Sequence, residues 1–332
     1  MKIELLAVQH VAAVEAAAEL PWLAEGLWLE QGVGFLGGHP KSCKSWLALD
    51  IALSVASCTP VLGHYPVSRG GAVLVFAAED SPPLVRARFA GMAAARHVAL
   101  EDVPIQLVLA NSLRLESQEN QARLRATVEA LRPVLLILDP FVRMTSIDEN
   151  SAQEVSRVLA FLRELQRSHG LAILVVHHVR KSAGNGNGGL ALRGSGDFWA
   201  WSDTNLYLYR RQDALELAIE HRSSSTPEPV SLELCEDGPR GPHLRMLEGE
   251  PERTAPESLA TRVLEYLGDN VEPCKLDAIR AEMRVRMQSV VNALRDLEQG
   301  GAVRRVDGGW LPTASEPGET EAGSAEAQPA EG

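Results

Sequence analysis

The chain has 332 residues, 45% hydrophobic and 23% charged, enough to bury one large α/β core plus a small second one and too apolar for a wholly disordered polymer. Its formal net charge of −12 excludes a protein that coats nucleic acid without specificity. Aliphatic runs such as Val134 to Leu138 are too short to span a bilayer, and the opening MKIELLAVQH lacks a signal-peptide core, so a cytoplasmic protein with no membrane partner is expected.

Residues 1–30 are Ala/Leu/Glu-rich and predict a helix and a docking segment anchored by Pro21, Trp22 and Trp28. Over residues 31–247, strand and helix patterns alternate. Gly32 to Leu36 reads as a strand and Ser45 to Ser57 as a helix. Gly71 to Ala77 is a continuous apolar run, as in a strand covered on both faces. Helix, strand and helix patterns follow at Leu84–His97, Ile105–Leu109 and Asn120–Leu131. Val134 to Leu138 and Leu171 to Val176 are further buried strands around a long helix near 153–168, and strands at 204–210 and 215–221 close the region. This alternation predicts a three-layer α/β/α core with a mostly parallel sheet. Ser182 to Gly196 is a Gly/Asn-rich loop between strands, which reads either as a plain linker or as a functional loop. Residues 248–256 form a linker, 257–312 a separate small domain, and 313–332 a disordered acidic tail without large apolar residues.

The four cysteines, Cys43, Cys58, Cys235 and Cys274, form no CxxC pair and read as reduced thiols. Lysine occurs only five times, and three of the five (Lys41, Lys44, Lys181) fall inside the motifs that carry chemistry.

The first of these motifs is Gly38-His39-Pro40-Lys41-Ser42-Cys43-Lys44-Ser45, which follows a strand and opens a helix. Such a turn can hold phosphates on backbone N–H groups and a helix N-terminus, with Lys44 on the β- and γ-phosphates and Ser45 on Mg²⁺. Cys43 stands where G-x-x-x-x-G-K-[ST] has its second glycine, so a degenerate turn before a buried helix is the competing reading. Three further strand ends favour the nucleotide site. LLIL ends in Asp139, suited to hold Mg²⁺ through water. VLVFA runs into Ala78-Glu79-Asp80, which places Glu79 to polarise an attacking water. LAILVV ends at His177-His178. Ligands gather at the carboxyl edge of parallel sheets, and all four ends fall there.

This order of motifs resembles the RecA/DnaB superfamily, and within it the RepA-like branch of hexameric plasmid-replication helicases. The residues carrying the resemblance are GGHPKSCKSWLALDIAL, LVFAAEDS, LLILDPFVR, VVHHVRK, RGSGDFWAWSDT and IEHRSSSTPEPV, within about residues 20–235. It implies a RecA-type ATPase core, ATP and Mg²⁺ as cofactors, and a homo-oligomer, in that branch a hexamer, with nucleotide between subunits. It further implies Glu79 as catalytic base, His178 as the γ-phosphate sensor and Arg222 as an arginine finger for the next subunit. Arg210 and Arg211 compete with Arg222 for that role, and Arg222 could equally be a solvated surface residue. The Gly-rich stretch with Arg193 matches a loop that faces single-stranded DNA in translocating members. Cys43 departs from the family and bears on turnover more than on fold.

Residues 257–312 read as three helices and a hairpin turning at Asp307-Gly308. The pattern resembles a winged helix, which implies duplex DNA contact through Arg284, Arg286, Arg304 and Arg305. Nine basic and nine acidic side chains between Arg253 and Pro312 leave the module neutral, so a protein-interaction role is the alternative. The sequence thus favours an ATP-hydrolysing oligomer acting on DNA, against a regulatory ATP-binding switch with weak turnover and a relative that has lost nucleotide binding.

Overall fold

The computed structural model describes residues 8–14, 20–110, 112–179, 196–211, 214–235, 242–247, 259–268, 270, 273–283 and 287–313. The chain divides into two compact units, Met1–Pro251 and Glu252–Gly332.

The first unit is built on a nine-stranded sheet in the order β11-β10-β9-β8-β3-β7-β6-β4-β5. Its parallel part comprises β3 (Val33–Gly38), β4 (Val73–Ala77), β5 (Ile105–Leu107), β6 (Leu135–Asp139), β7 (Ala172–His178) and β8 (Thr204–Arg211). The strands β9 (Ala214–His221), β10 (Val230–Cys235) and β11 (His243–Met246) extend it in antiparallel fashion. Helices α1 (Lys44–Ser57), α2 (Pro82–Ala95), α3 (Gln118–Leu131) and α4 (Ala152–His169) cross between the parallel strands, and the short α5 (Asp197–Trp201) precedes β8.

Burial explains this layering. β6 is buried along its whole length, and its residues alternate between two cores: Leu135 and Ile137 face the side of α1 and α2, Leu136 and Leu138 the side of α3 and α4. A strand covered on both faces needs an unbroken apolar run, which is how LLIL reads. α1 is apolar around most of its circumference, with Leu47 through Ala56 buried. The solvent-facing helices carry their own stop signals. Ser117 Oγ and Ser151 Oγ cap α3 and α4 by accepting from Asn120 N and Glu154 N, and Gly170 ends α4 in the left-handed conformation.

Two expectations meet a different outcome. The described residues of 1–30 hold no α-helix, and residues 1–7 and 15–19, on which much of the expected helix falls, lie outside them. The described ones contain a single 3-10 turn, Val11–Ala13, and a hairpin of β1 (Trp22–Ala24) and β2 (Trp28–Leu29). Pro21 cannot extend a helix, and the hairpin lets Leu23, Leu27 and Trp28 bury completely on the α1 side of the sheet. The strands at 204–210 and 215–221 do not close the sheet, because β10 and β11 continue it. Their partly buried, mixed composition gives a weaker signal than the central strands do.

The second unit holds α6 (Leu259–Gly268), α7 (Leu276–Met283), α8 (Met287–Gln299) and the hairpin β12 (Val303–Val306)–β13 (Gly309–Pro312). Its core is formed by Val263, Leu267, Ile279, Val290, Leu294 and Val303. Cys274 bridges Trp310, which stitches the segment before α7 to the hairpin.

Candidate functional site

β3 lies in the middle of the sheet, with β8 on one side and β7 on the other, so its carboxyl end opens between two flanking strand ends. The chain turns there from Gly38 into residues 39–43 and enters α1. The turn admits no side chain at Gly38, where a Cβ would lie 2.6 Å from both the Leu208 carbonyl oxygen and Ser42 Oγ. Cys43 is the N-cap of α1 at φ 63° and ψ 21°, in the left-handed region. A residue with a Cβ adopts it at a cost of about 1 kcal/mol or more relative to glycine, the strain its place in the motif predicts. No side chain caps α1, so the N–H groups of its first turn have no side-chain cap partner, and a helix end left this way is an anion site.

Lys44 is buried, and its Nζ donates to the His39 carbonyl at 2.7 Å, which folds it back over the turn. Burial lowers its pKa, opposed by the charges of Asp139, Glu79 and Cys43. Ser42 is 1% exposed, and its Oγ has no hydrogen-bond partner among the described residues. A hydroxyl in that position is suited to a ligand atom.

The register of the parallel strands brings the remaining groups to the same edge. Gly38 pairs His178, Ala77 pairs Asp139, and the Ala78 amide donates to the Asp139 carbonyl at 2.7 Å. Around them lies a cavity of about 380 Å³, lined among others by Ser42, Lys44, Ser45, Glu79, Asp139 and His178. His39 is absent from that lining; its carbonyl contributes through Lys44. Pro40, Lys41 and Cys43 also line it.

Two carboxylates in this cavity differ sharply. Asp139 is 8% exposed, and burial pushes its pKa up to about 6, although a hydrogen bond from Ser45 and the charge of Lys44 favour the ionised form. A buried carboxylate joined to a serine hydroxyl beside an open phosphate site fits a divalent cation, which would relieve the desolvated charge. No cluster of three or more His, Cys, Asp or Glu suited to hold a metal occurs among the described residues, so Ser45 and Asp139 would share the ion with phosphate oxygens. Glu79, by contrast, is about half exposed and accepts from Arg143 Nε at 2.9 Å.

Sequence reasoning missed Arg88 and Arg143 here, and named Arg210 only as an alternative arginine finger. Arg88 of α2 forms a two-pronged ion pair with Asp80 and lies over the Trp46 ring, 5.2 Å from its centroid, and all three line the cavity. Arg210, at the end of β8, places Nη2 3.7 Å from Cys43 Sγ. Arg143 sits four residues beyond Asp139. No spacing rule marks these arginines, since each contact joins elements distant in sequence or depends on the course of a turn.

Arg222 is not among the residues lining the cavity. It is half exposed, with Nη1 3.4 Å from Asp203 Oδ1 and Nη2 donating to the Ala200 carbonyl. Arg304 and Arg305 are exposed on β12 in the second unit. Arg193, Arg284 and Arg286, with the Gly-rich stretch, lie outside the described residues, as does Arg211's side chain.

A mostly parallel sheet between helical layers, with a phosphate-binding turn on its central strand and acidic residues on neighbouring strand ends, defines a RecA-like P-loop nucleotide-binding domain. The chain belongs to the AAA domain family, which matches residues 2–184, more than half of its length. Among solved structures it is similar to the RadB recombinase, at 18% identity over 66% of this chain and 92% of that one, with a TM-score of 0.48. It is also similar to a KaiC-like protein from the hyperthermophilic archaeon Pyrococcus horikoshii OT3, at 15% identity over 69% of this chain and 96% of that one, with a TM-score of 0.48. The chain matches no curated protein. No helix among the described residues is long and apolar enough to cross a membrane.

Proposed function

We propose that this protein is an ATP-binding and ATP-hydrolysing oligomer, of the RepA-like hexameric kind, that acts on DNA in replication or recombination. The observation that carries the reading is the convergence of four strand ends, those of β3, β4, β6 and β7, on one cavity at an uncapped helix N-terminus.

In this reading the backbone of residues 38–44 cradles the β- and γ-phosphates, and Lys44 exchanges the His39 carbonyl for a phosphate oxygen. Ser45 and Asp139 would hold Mg²⁺, which would supply charge neutralisation on the phosphate oxygens. Glu79 accepts a proton from water as the water oxygen attacks the γ-phosphorus and the bond to the β–γ bridging oxygen breaks. His178 marks the presence of the γ-phosphate from the end of β7. Arg222, outside its own cavity, leaves Asp203 and the Ala200 carbonyl to serve a neighbour's site, where it neutralises charge that builds in the transition state. The order of three helices and a hairpin supports a winged-helix reading of the second unit, with Arg304 and Arg305 placed for phosphates.

A second reading, a nucleotide-dependent switch with weak turnover, is favoured by Cys43 at a strained position where the motif has glycine. ATP turnover measured with and without single-stranded DNA, over a range of protein concentrations, separates the two. Turnover that rises with concentration and DNA supports the motor. Tight binding without turnover supports the switch. Turnover by a strict monomer, independent of concentration, rejects the oligomeric site.

A further inference from the structure

Glu79 is poorly suited to act alone. It stands on a bend just after β4, its side chain is 48% exposed, and a glutamate in that setting samples many rotamers in water. A general base has to present one oxygen to one water within hydrogen-bond reach. Among the described residues its hydrogen-bond partner is Arg143, whose Nε donates to Oε1 at 2.9 Å. This contact engages one carboxylate oxygen and leaves Oε2 for the substrate water.

The backbone that carries Arg143 is held unusually firmly for a surface turn. Phe141 and Met144 on either side are completely buried, and Thr145 is 7% exposed. Arg143 N donates to the Pro140 carbonyl at 3.0 Å and Met144 N to the Phe141 carbonyl at 2.9 Å. Leu115 N donates to the Met144 carbonyl at 2.9 Å, and Arg114 Nη1 lies 3.2 Å from the carbonyl oxygens of both Arg143 and Thr145. The side chain of Arg143 is the part that reaches outward, 62% exposed. The same turn begins at Asp139–Pro140, so one rigid segment fixes the buried carboxylate at one end and the guanidinium at the other.

We infer that Arg143 is a positioning residue for Glu79: anchored by the turn after β6, it holds Oε1 and thereby aims Oε2 at the water that attacks the nucleotide. This rests on Glu79 being the base, as proposed above. It assigns to Arg143 no contact with ATP, and Arg143 is not among the residues lining the cavity.

The experiment compares steady-state ATP turnover and binding of a fluorescent ATP analogue for the full-length wild type, Arg143→Ala, Arg143→Lys and Glu79→Gln. Glu79→Gln keeps binding and loses turnover by about 100-fold or more, and Arg143→Ala loses kcat by about tenfold, the smaller loss expected when the base remains and only its aim is lost. KM and analogue affinity stay within twofold of wild type in Arg143→Ala, roughly the scatter of such measurements, because the phosphate cradle is untouched. Arg143→Lys recovers part of the kcat. The inference is overturned if Glu79→Gln is inactive while Arg143→Ala keeps wild-type kcat, or if Arg143→Ala loses analogue binding in step with turnover. Full turnover by Glu79→Gln, or none by the wild type, instead removes the base itself and the proposed hydrolysis with it.

Discussion

The parallel and antiparallel parts of the sheet do different work. In the parallel part the ends of β7, β6 and β4 and the turn that follows β3 deliver polar side chains to one cavity, because parallel strands point their carboxyl ends the same way. In the antiparallel part alternate ends face opposite edges. Arg210, near the end of β8, the last of the parallel strands, reaches Cys43, whereas Arg222, just after the antiparallel β9, turns to Ala200 and Asp203. The proposed nucleotide cradle therefore draws on the parallel half alone, and the antiparallel half contributes Arg222. The proposed chemistry divides accordingly: binding belongs to the first region and part of hydrolysis to the second.

The largest effect that tests this division is Lys44→Ala. It deletes a buried cation and should weaken binding of a labelled ATP analogue by about 100-fold or more, the usual scale for losing one buried charged partner. Undiminished affinity would mean that the cavity is not a phosphate site. Next comes Arg222→Ala, expected to lower turnover by roughly 1000-fold, as loss of an arginine finger does, while leaving analogue affinity unchanged. Loss of binding in that variant would erase the division, because the antiparallel half would then be part of the cradle.

Asp139 gives a third, smaller effect that is read without nucleotide. Its native pKa of about 6 lies above the ordinary 3.8, so the native state holds the proton more tightly than the unfolded chain. The unliganded protein therefore loses stability as pH rises from about 4 to about 6, by on the order of 3 kcal/mol from this group alone. Urea unfolding across that range should show the gap between wild type and Asp139→Asn changing with pH in that direction, and a constant gap refutes the assignment. Mg²⁺-dependent nucleotide binding moves the opposite way, weakening as pH falls below about 6, because the cation requires the ionised carboxylate.

The smallest effect sits at the boundary of the two regions. Cys43→Gly relieves a left-handed residue and should stabilise the turn by about 1 kcal/mol, seen as a roughly fivefold gain in analogue affinity. Weaker affinity instead would show that the Cys43–Arg210 contact holds the turn in shape and outweighs the relief of strain.

The same contrast explains what could be read from the chain in advance. GAVLVFA, VLLIL and LAILVV are buried on both faces, so composition alone marked them as strands. The polar residues immediately after them, Glu79, Asp139 and His178, were marked by position. Gly38 and Lys44 stood out through the spacing of the turn. Pro21, Trp22 and Trp28 read as the anchors of a docking segment, and Trp28 is completely buried, but the hairpin form of Trp22 to Leu29 left no local signal because tertiary burial decides it. β10 and β11 were missed for a related reason, since strands half open to solvent carry mixed residues. Arg88 and Arg143 left no local trace, and Arg210 stood out only as a possible finger and not as a partner of Cys43, as these contacts are supplied by the tertiary fold.

Asp203 bears on the proposed assembly. Its carboxylate takes the Val33 amide at 3.1 Å and Arg163 Nη1 at 2.6 Å, and Arg222 is its third and most distant guest at 3.4 Å. Arginine loses up to about 2 kcal/mol of rotamer freedom when it is fixed from solvent. A free subunit has already forfeited part of that freedom by parking Arg222 on Asp203 and the Ala200 carbonyl. If Arg222 engages a neighbour's nucleotide, it trades one anion for another instead of freezing out of water. Asp203 keeps Arg163 through that exchange, so its charge is not left bare. In the proposed assembly that resting contact would lower the entropic barrier to docking, at the cost of the contacts to Asp203 and the Ala200 carbonyl.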